Sequence, residues 1–153
     1  MSNPHSKDLE TLIAYIRKSF HLLKTRSEQL LVDLDVNPSM RAILETLYKD
    51  GPKTVPDIAR QKSVSRQHIQ IIVNSLSDVS LVKQVENPAH KRSPKFCLTD
   101  KGRSTFEEAL RKEGEPLREM TGVLPLEDLP TSIKVLKRLN EELTNQIEKG
   151  NKQ

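Results

Sequence analysis

Arg66, Gln67, His68, Gln70 and Asn74 crowd into one short stretch, SVSRQHIQIIVNSL, spanning Ser63–Leu76. Among them stand Ile69, Ile72, Val73 and Leu76, at the i, i+3, i+4, i+7 spacing that gathers apolar side chains on one face of a helix. The opposite face is then made of long, flat donors and acceptors. Such side chains match base edges in the major groove of a duplex, where guanidinium and carboxamide groups can bond two atoms at once. Ser65 precedes the helix, where a hydroxyl caps it or meets a phosphate. Gln67, His68 and Gln70 are the expected base readers, Arg66 reads guanine or holds a phosphate, and Ile71 can meet a thymine methyl group. A solvated helix face uses some of the same residues. This one differs in holding no acidic residue until Asp78 and in preceding a basic segment.

The elements around this stretch have to position it. Val55–Gln61 reads as a short helix just before the polar turn Ser63-Val64-Ser65, with Thr54 and Asp57 spaced as a near capping box. Ala59 is small where two helices must cross closely. Leu81–Val85 alternates as a strand, Asn87–Pro94 is a turn-rich positive tip, and Lys95–Leu98 reads as the returning strand of a hairpin. Helix, turn, helix and basic hairpin together make a winged helix-turn-helix. His90, Lys91 and Arg92 at the hairpin tip can probe a minor groove, where narrow width concentrates negative potential. Lys95, Lys83 and Lys53 read as phosphate neighbours, which steepen salt dependence without choosing sequence.

The flanks are helical. Leu9, Leu12, Ile13, Ile16, Phe20 and Leu23 share a stripe on a helix from about Lys7 to Leu31, with a break expected near Arg26–Ser27 as the alternative. Tyr15 and Leu22 lie off that stripe, so this helix needs more than one apolar partner. Asn37 and Pro38 start a second helix carrying Met40, Ile43, Leu44, Leu47 and Tyr48, and Gly51-Pro52 stops it. Thr99 caps a helix with Phe106, Ala109 and Leu110 facing inward, and Gly114, Pro116 and Gly122 obscure its end. Pro125–Pro130 reads as a linker. From about Thr131 a last helix carries Ile133, Leu136, Leu139, Leu143 and Ile147 in a nearly heptad stripe suited to helix–helix association.

Composition narrows the function. The 153 residues suit one domain with a real core, and 35% hydrophobic with 30% charged residues suits a helical protein with large solvated faces. Three Phe, two Tyr and no Trp leave little for the stacking platforms that hold single strands. A net charge of +4 is compatible with nucleic acid. The single cysteine, Cys97, excludes an internal disulfide, and its place between Phe96 and Leu98 favours a buried thiol over a redox sensor. His5, His21, His68 and His90 are scattered, with no metal-ligand spacing. No phosphate-cradling loop, nucleophile motif or paired carboxylates point to catalysis, and nothing calls for a cofactor. With no signal peptide and no apolar run near about 18 residues, the expected location is the cytoplasm, with no membrane partner.

The order of elements resembles the MarR family of winged helix-turn-helix regulators. The likeness is carried by Gly51-Pro52-Lys53-Thr54-Val55-Pro56-Asp57-Ile58-Ala59, Val64-Ser65-Arg66-Gln67, Ser80-Leu81-Val82 and Leu98-Thr99-Asp100-Lys101-Gly102-Arg103. It covers residues 39–112 by motif and the rest by helix order, and the Leu-Thr-x-Lys-Gly-Arg run is its most specific piece. Two positions depart from the family. Ser80 stands where Gly usually ends the recognition helix, at a cost of about 1–2 kcal/mol if left-handed. His90 replaces the acidic residue that usually orients the basic residues of the wing.

The resemblance implies a homodimer in which each recognition helix enters a major groove and each wing the adjacent minor groove. It also implies a cleft for a small aromatic ligand, lined by Tyr15, Phe20, His21, Leu23 and Tyr48, though their helical spacing fits core packing equally well.

The expected fold is mostly α with a small β-hairpin wing. Residues 1–36 form an N-terminal dimerisation helix, 37–98 the DNA-binding lobe, and 99–153 the C-terminal helices completing the dimerisation region. The expected function is sequence-specific binding of double-stranded DNA by a transcriptional regulator, by family habit a repressor, released by ligand. Two rivals remain at the level of sequence. A winged helix that binds a partner protein predicts no salt-sensitive DNA affinity, and a chromatin-type binder predicts a salt slope without sequence preference.

Overall fold

The computed structural model describes residues 4–151. Two compact units divide between Gly114 and Glu115. The first begins with α1 (Ser6–Leu31), which runs unbroken through Arg26–Ser27. Leu31 is its one fully buried residue, while Leu12, Ile13 and Ile16 are half-buried. A 3-10 turn (Val32–Leu34) follows, and Asp35 turns the chain at φ 52°. Aspartate tolerates this left-handed region better than most residues.

Asn37 caps α2 (Pro38–Asp50), its Oδ1 accepting from the Met40 amide at 2.9 Å. Pro38 occupies the first turn, where no amide donor is needed. Thr54 caps α3 (Val55–Lys62) in the same way, accepting from the Asp57 amide at 3.2 Å and donating its hydroxyl to the Asp57 carboxylate at 2.7 Å. Ser65 caps α4 (Arg66–Asp78) through the His68 amide at 3.1 Å.

Both helices of the helix-turn-helix end alike. Ser63 and Ser80 adopt left-handed φ values of 56° and 61°. At the first, the Val64 amide reaches Ala59 O and the Ser63 amide reaches Arg60 O; at the second, Leu81 reaches Leu76 O and Ser80 reaches Ser77 O. This double bond pattern satisfies carbonyls that a helix end would leave open. It also begins the strand one residue later than its alternation predicts, because the Leu81 amide is spent on α4.

The sheet is small and antiparallel, in the order β1 (Lys53–Thr54), β3 (Lys95–Leu98), β2 (Val82–Val85). Its register pairs Lys83 with Cys97 and Gln84 with Phe96. Ile43, Leu44, Leu47, Ile58, Ile69, Val73, Leu76, Leu81, Val82, Phe96 and Phe106 form one continuous core beneath it. Cys97, expected to be buried, is only half-buried on β3.

Thr99 starts α5 (Asp100–Met120), accepting from the Gly102 amide at 2.9 Å and donating to Ser80 O at 2.7 Å. The helix continues through Gly114 and Pro116. Its first half, with Gly102, Phe106 and Ala109 buried, belongs to the first unit.

The second unit contains the rest of α5, a 3-10 turn (Leu126–Asp128) and α6 (Leu129–Gly150). The stretch from Pro125 to Pro130 is therefore not an open linker. Pro130 lies in the first turn of α6, where proline is tolerated. No residue of α6 is buried within the chain.

Candidate nucleic-acid interface

The apolar side of α4 is fixed before its polar side can matter. Ile69, Ile72, Val73 and Leu76 are buried against the core, so the helix has one rotational setting. That setting leaves Ser65, Arg66, Gln67, His68, Gln70, Ile71 and Asn74 exposed, as their spacing predicts. Ile71 is 59% exposed, a large apolar side chain among polar ones.

Between α4 and the wing lies a groove of about 310 Å³ lined by Arg66, Gln67, Gln70 and Arg92 with Val55, Pro56, Ser93, Pro94 and Phe96. It brings together the recognition residues and one of the wing cations. Val55 and Pro56 enter because the start of α3 faces the same groove. Only their proximity in the fold reveals them, since neither has polar chemistry.

The wing tip is built by Asn87, which is buried although polar. Its Nδ2 donates to Ser93 O at 2.9 Å across the tip, while the His90 amide donates to Asn87 O and the Ser93 amide to His90 O, both at 3.0 Å. These bonds fold the tip without the carboxylate that His90 replaces. His90, Lys91 and Arg92 are exposed there, and Lys95 is half-buried on β3.

Charge pairing separates the cations into two groups. Arg60 is held by Asp57 at 3.2 Å, and Lys53 by Asp50 at 3.5 Å, so Lys53 is turned toward a carboxylate and not left open. Among the described residues no carboxylate pairs with Arg66, Lys83, Lys91, Arg92 or Lys95. The hydrogen bond from Thr54, aided by Arg60 and Lys53, holds the Asp57 carboxyl below its ordinary range, so it stays charged beside the helix start.

The lobe is anchored by a charged cluster that the sequence does not disclose. Arg41 Nε donates to Glu113 Oε1 and Oε2 at 3.1 and 3.0 Å, its Nη2 to Glu113 Oε2 at 2.8 Å, and its Nη1 to Glu45. Ser27 Oγ donates to the same Glu113 at 3.3 Å, which ties α1, α2 and α5 together. Phe106 lies under the Arg41 guanidinium, 5.4 Å from it, and Tyr48 under that of Arg103 at 5.0 Å.

The expected ligand-cleft residues are dispersed within one chain. Tyr48 packs on the Phe106 ring at 5.0 Å and donates its hydroxyl to Glu107 at 3.2 Å. Tyr15, Phe20, His21 and Leu23 are exposed along α1, with the Phe20 and His21 rings edge to face at 5.7 Å. Among the described residues no group of His, Cys, Asp and Glu could hold a metal ion, and no helix is long and apolar enough to cross a membrane.

No family model matches the chain. An uncharacterised protein of Mycobacterium tuberculosis is 30% identical over 102 residues, 67% of this chain and 71% of that one. The HTH-type transcriptional regulator MhqR of Bacillus subtilis is 25% identical over 104 residues, covering 68% and 72%. Among solved structures, a MarR family transcription regulator superposes with a TM-score of 0.79 at 21% identity, over 95% of this chain and 99% of its own. The Staphylococcus aureus MarR in complex with salicylate and kanamycin gives 0.81 at 15% identity, over 92% and 95%. The transcriptional repressor CouR bound to a 23-mer DNA duplex gives 0.77 at 17%, over 92% and 99%.

Proposed function

We propose that this chain, whose fold is that of MarR winged helix-turn-helix transcription regulators, is itself such a regulator, binding double-stranded DNA sequence-specifically as a homodimer and repressing transcription from a pseudo-palindromic operator. The named relatives are transcription regulators. One observation carries the reading: the carboxylate-free face of α4 and Arg92 of the wing, which pairs with no carboxylate among the described residues, border the same groove. CouR, crystallised on duplex DNA, shares the fold.

In this reading Ser65 and Arg66 meet backbone phosphate at the start of α4, while Gln67, His68, Gln70 and Ile71 meet base edges, with Asn74 beside Gln70 on the same face. His90, Lys91 and Arg92 enter the neighbouring minor groove and Lys95 follows the backbone.

Exposed apolar faces support the dimer. Tyr15, Phe20, Leu22 and Leu23 on α1 are each at least 60% exposed, and Ile133, Leu136, Leu143 and Ile147 on α6 are exposed too. Large apolar faces left open in one chain mark contact surfaces. Two-fold symmetry then sets half-sites about 10 bp apart, one turn of the duplex. The staphylococcal relative was crystallised with salicylate. A small aromatic ligand here would lie beside Tyr15, Phe20, His21 and Leu23 once a second chain covers α1, with Tyr48 reorienting to join them. It would release DNA by favouring a lobe spacing that misfits the operator.

Selection of bound fragments from a random duplex pool tests the proposal. Enrichment of an inverted repeat is expected. Salt-sensitive binding without a motif would indicate a chromatin-type binder, and no binding at low salt would indicate a protein-interaction module.

A further inference from the structure

We propose that Asn74 is a positioning residue that presets Gln70 to read adenine, an inference resting on the DNA-binding reading above. Gln70 Nε2 donates to Asn74 Oδ1 at 2.9 Å. The two lie one helical turn apart on the exposed face of α4, at the spacing that lets side chains meet. Glutamine in such a place ordinarily samples many rotamers, each presenting a different edge, and this bond selects one of them before DNA arrives.

The selected edge has a defined polarity. A glutamine amide has one carbonyl acceptor and two N–H donors. When the N–H on the far side from Oε1 is the one committed to Asn74, the remaining N–H and Oε1 stand side by side. Adenine shows the complementary pair in the major groove, N7 as acceptor and the N6 amino group as donor. Guanine shows two acceptors there, N7 and O6, so its O6 would face Oε1 with no proton between them. A cytosine or thymine edge could satisfy only one of the two groups. Gln70 also lines the groove with Gln67, Arg66 and Arg92, and the positive charges of the two arginines draw the duplex against it. Base contact then requires little further ordering of the side chain.

The test uses the full chain as wild type, Gln70→Ala, Asn74→Ala and Asn74→Asp. Selection from a random duplex pool gives the motif, and the position whose preference disappears in Gln70→Ala is the one Gln70 reads. Affinities for the four bases at that position are then compared. The wild type should prefer adenine by at least about tenfold, the range of a bidentate contact. Asn74→Ala should cut that preference to about threefold or less with preferences elsewhere in the motif unchanged. Asn74→Asp keeps an acceptor oxygen for Gln70, so it should weaken binding to all sequences through its charge while retaining adenine. Guanine at that position, or full discrimination in Asn74→Ala, overturns the inference while leaving sequence-specific binding standing. A wild type that enriches no motif overturns both.

Discussion

Gly102 lies so close to Leu81 that a Cβ on it would stand 1.9 Å from the Leu81 carbonyl oxygen. That carbonyl also accepts the Thr99 amide at 3.1 Å, and Lys101 Nζ donates to Val79 O at 2.9 Å. The Leu-Thr-Asp-Lys-Gly run is thus a clamp joining the end of α4 to the start of α5. It fixes the end of the recognition helix, although none of its residues lines the groove.

Gly102→Ala should therefore destabilise the protein by about 2–3 kcal/mol, since the clash is with backbone and cannot be relieved by a rotamer change. Gly114, in the same helix, has nothing within 4 Å of an added Cβ. Gly114→Ala should stabilise by about 0.5–1 kcal/mol. Urea midpoints of the two variants should move in opposite directions; a fall for both would contradict the clamp.

Ser80 offers the opposite case. Its φ of 61° is a strain worth about 1–2 kcal/mol for a residue with a Cβ, partly offset in any glycine variant by the freer unfolded chain. Ser80→Gly should raise stability by about 0.5–1 kcal/mol and Ser80→Val should lower it by about 1–2 kcal/mol. Thermal unfolding followed by circular dichroism checks both signs.

The Arg41 cluster predicts a pH dependence. Burial alone would raise the Glu45 carboxyl, but hydrogen bonds from Lys49 and Arg41 and their charges outweigh it and hold the group below its ordinary value of 4.5. A depressed carboxyl adds stability that is present above the unfolded value and is lost as pH falls through the folded one. Glu45→Gln should thus be less stable than wild type at pH 7, with the difference shrinking below pH 4.5. Arg41→Met strands Glu113, which is 16% exposed, and should cost about 2–3 kcal/mol. Urea titrations at pH 7 and pH 3.5 measure both.

Arg92 has no carboxylate partner among the described residues and should act on DNA through phosphate or the minor groove. Arg92→Ala is expected to weaken binding to all sequences and to reduce the slope of log affinity against log salt by about 1. An unchanged slope, measured by fluorescence anisotropy between 50 and 200 mM salt, a range of about fourfold, would place Arg92 outside the interface.

Much of this arrangement is legible in residue order because its causes are local. Asn37, Thr54, Ser65 and Thr99 sit where short polar side chains cap helices, and the structure shows each accepting the amide its position implies. The α4 face follows from its period. Helix persistence through Gly114 and Pro116 is less legible, because propensity costs of about 1–3 kcal/mol yield to a well-capped helix whose first turns are anchored by Phe106 and Ala109. The linker expected over Pro125–Pro130 ends two residues early, with α6 starting at Leu129, because proline is tolerated in the first turn of a helix. Arg41 and Glu113 are 72 residues apart, and no spacing rule joins them. The apolar walls of the groove were hidden because Val55 and Phe96 carry no chemistry of their own.

The most direct test compares the affinity of the full chain for its selected duplex with that for a scrambled duplex of equal composition, both at 150 mM salt, near physiological ionic strength of about that value. Sequence-specific recognition by α4 predicts a preference of about 10³-fold or more. Equal affinities would contradict it, leaving the exposed face of α4 as a charged surface that does not read sequence.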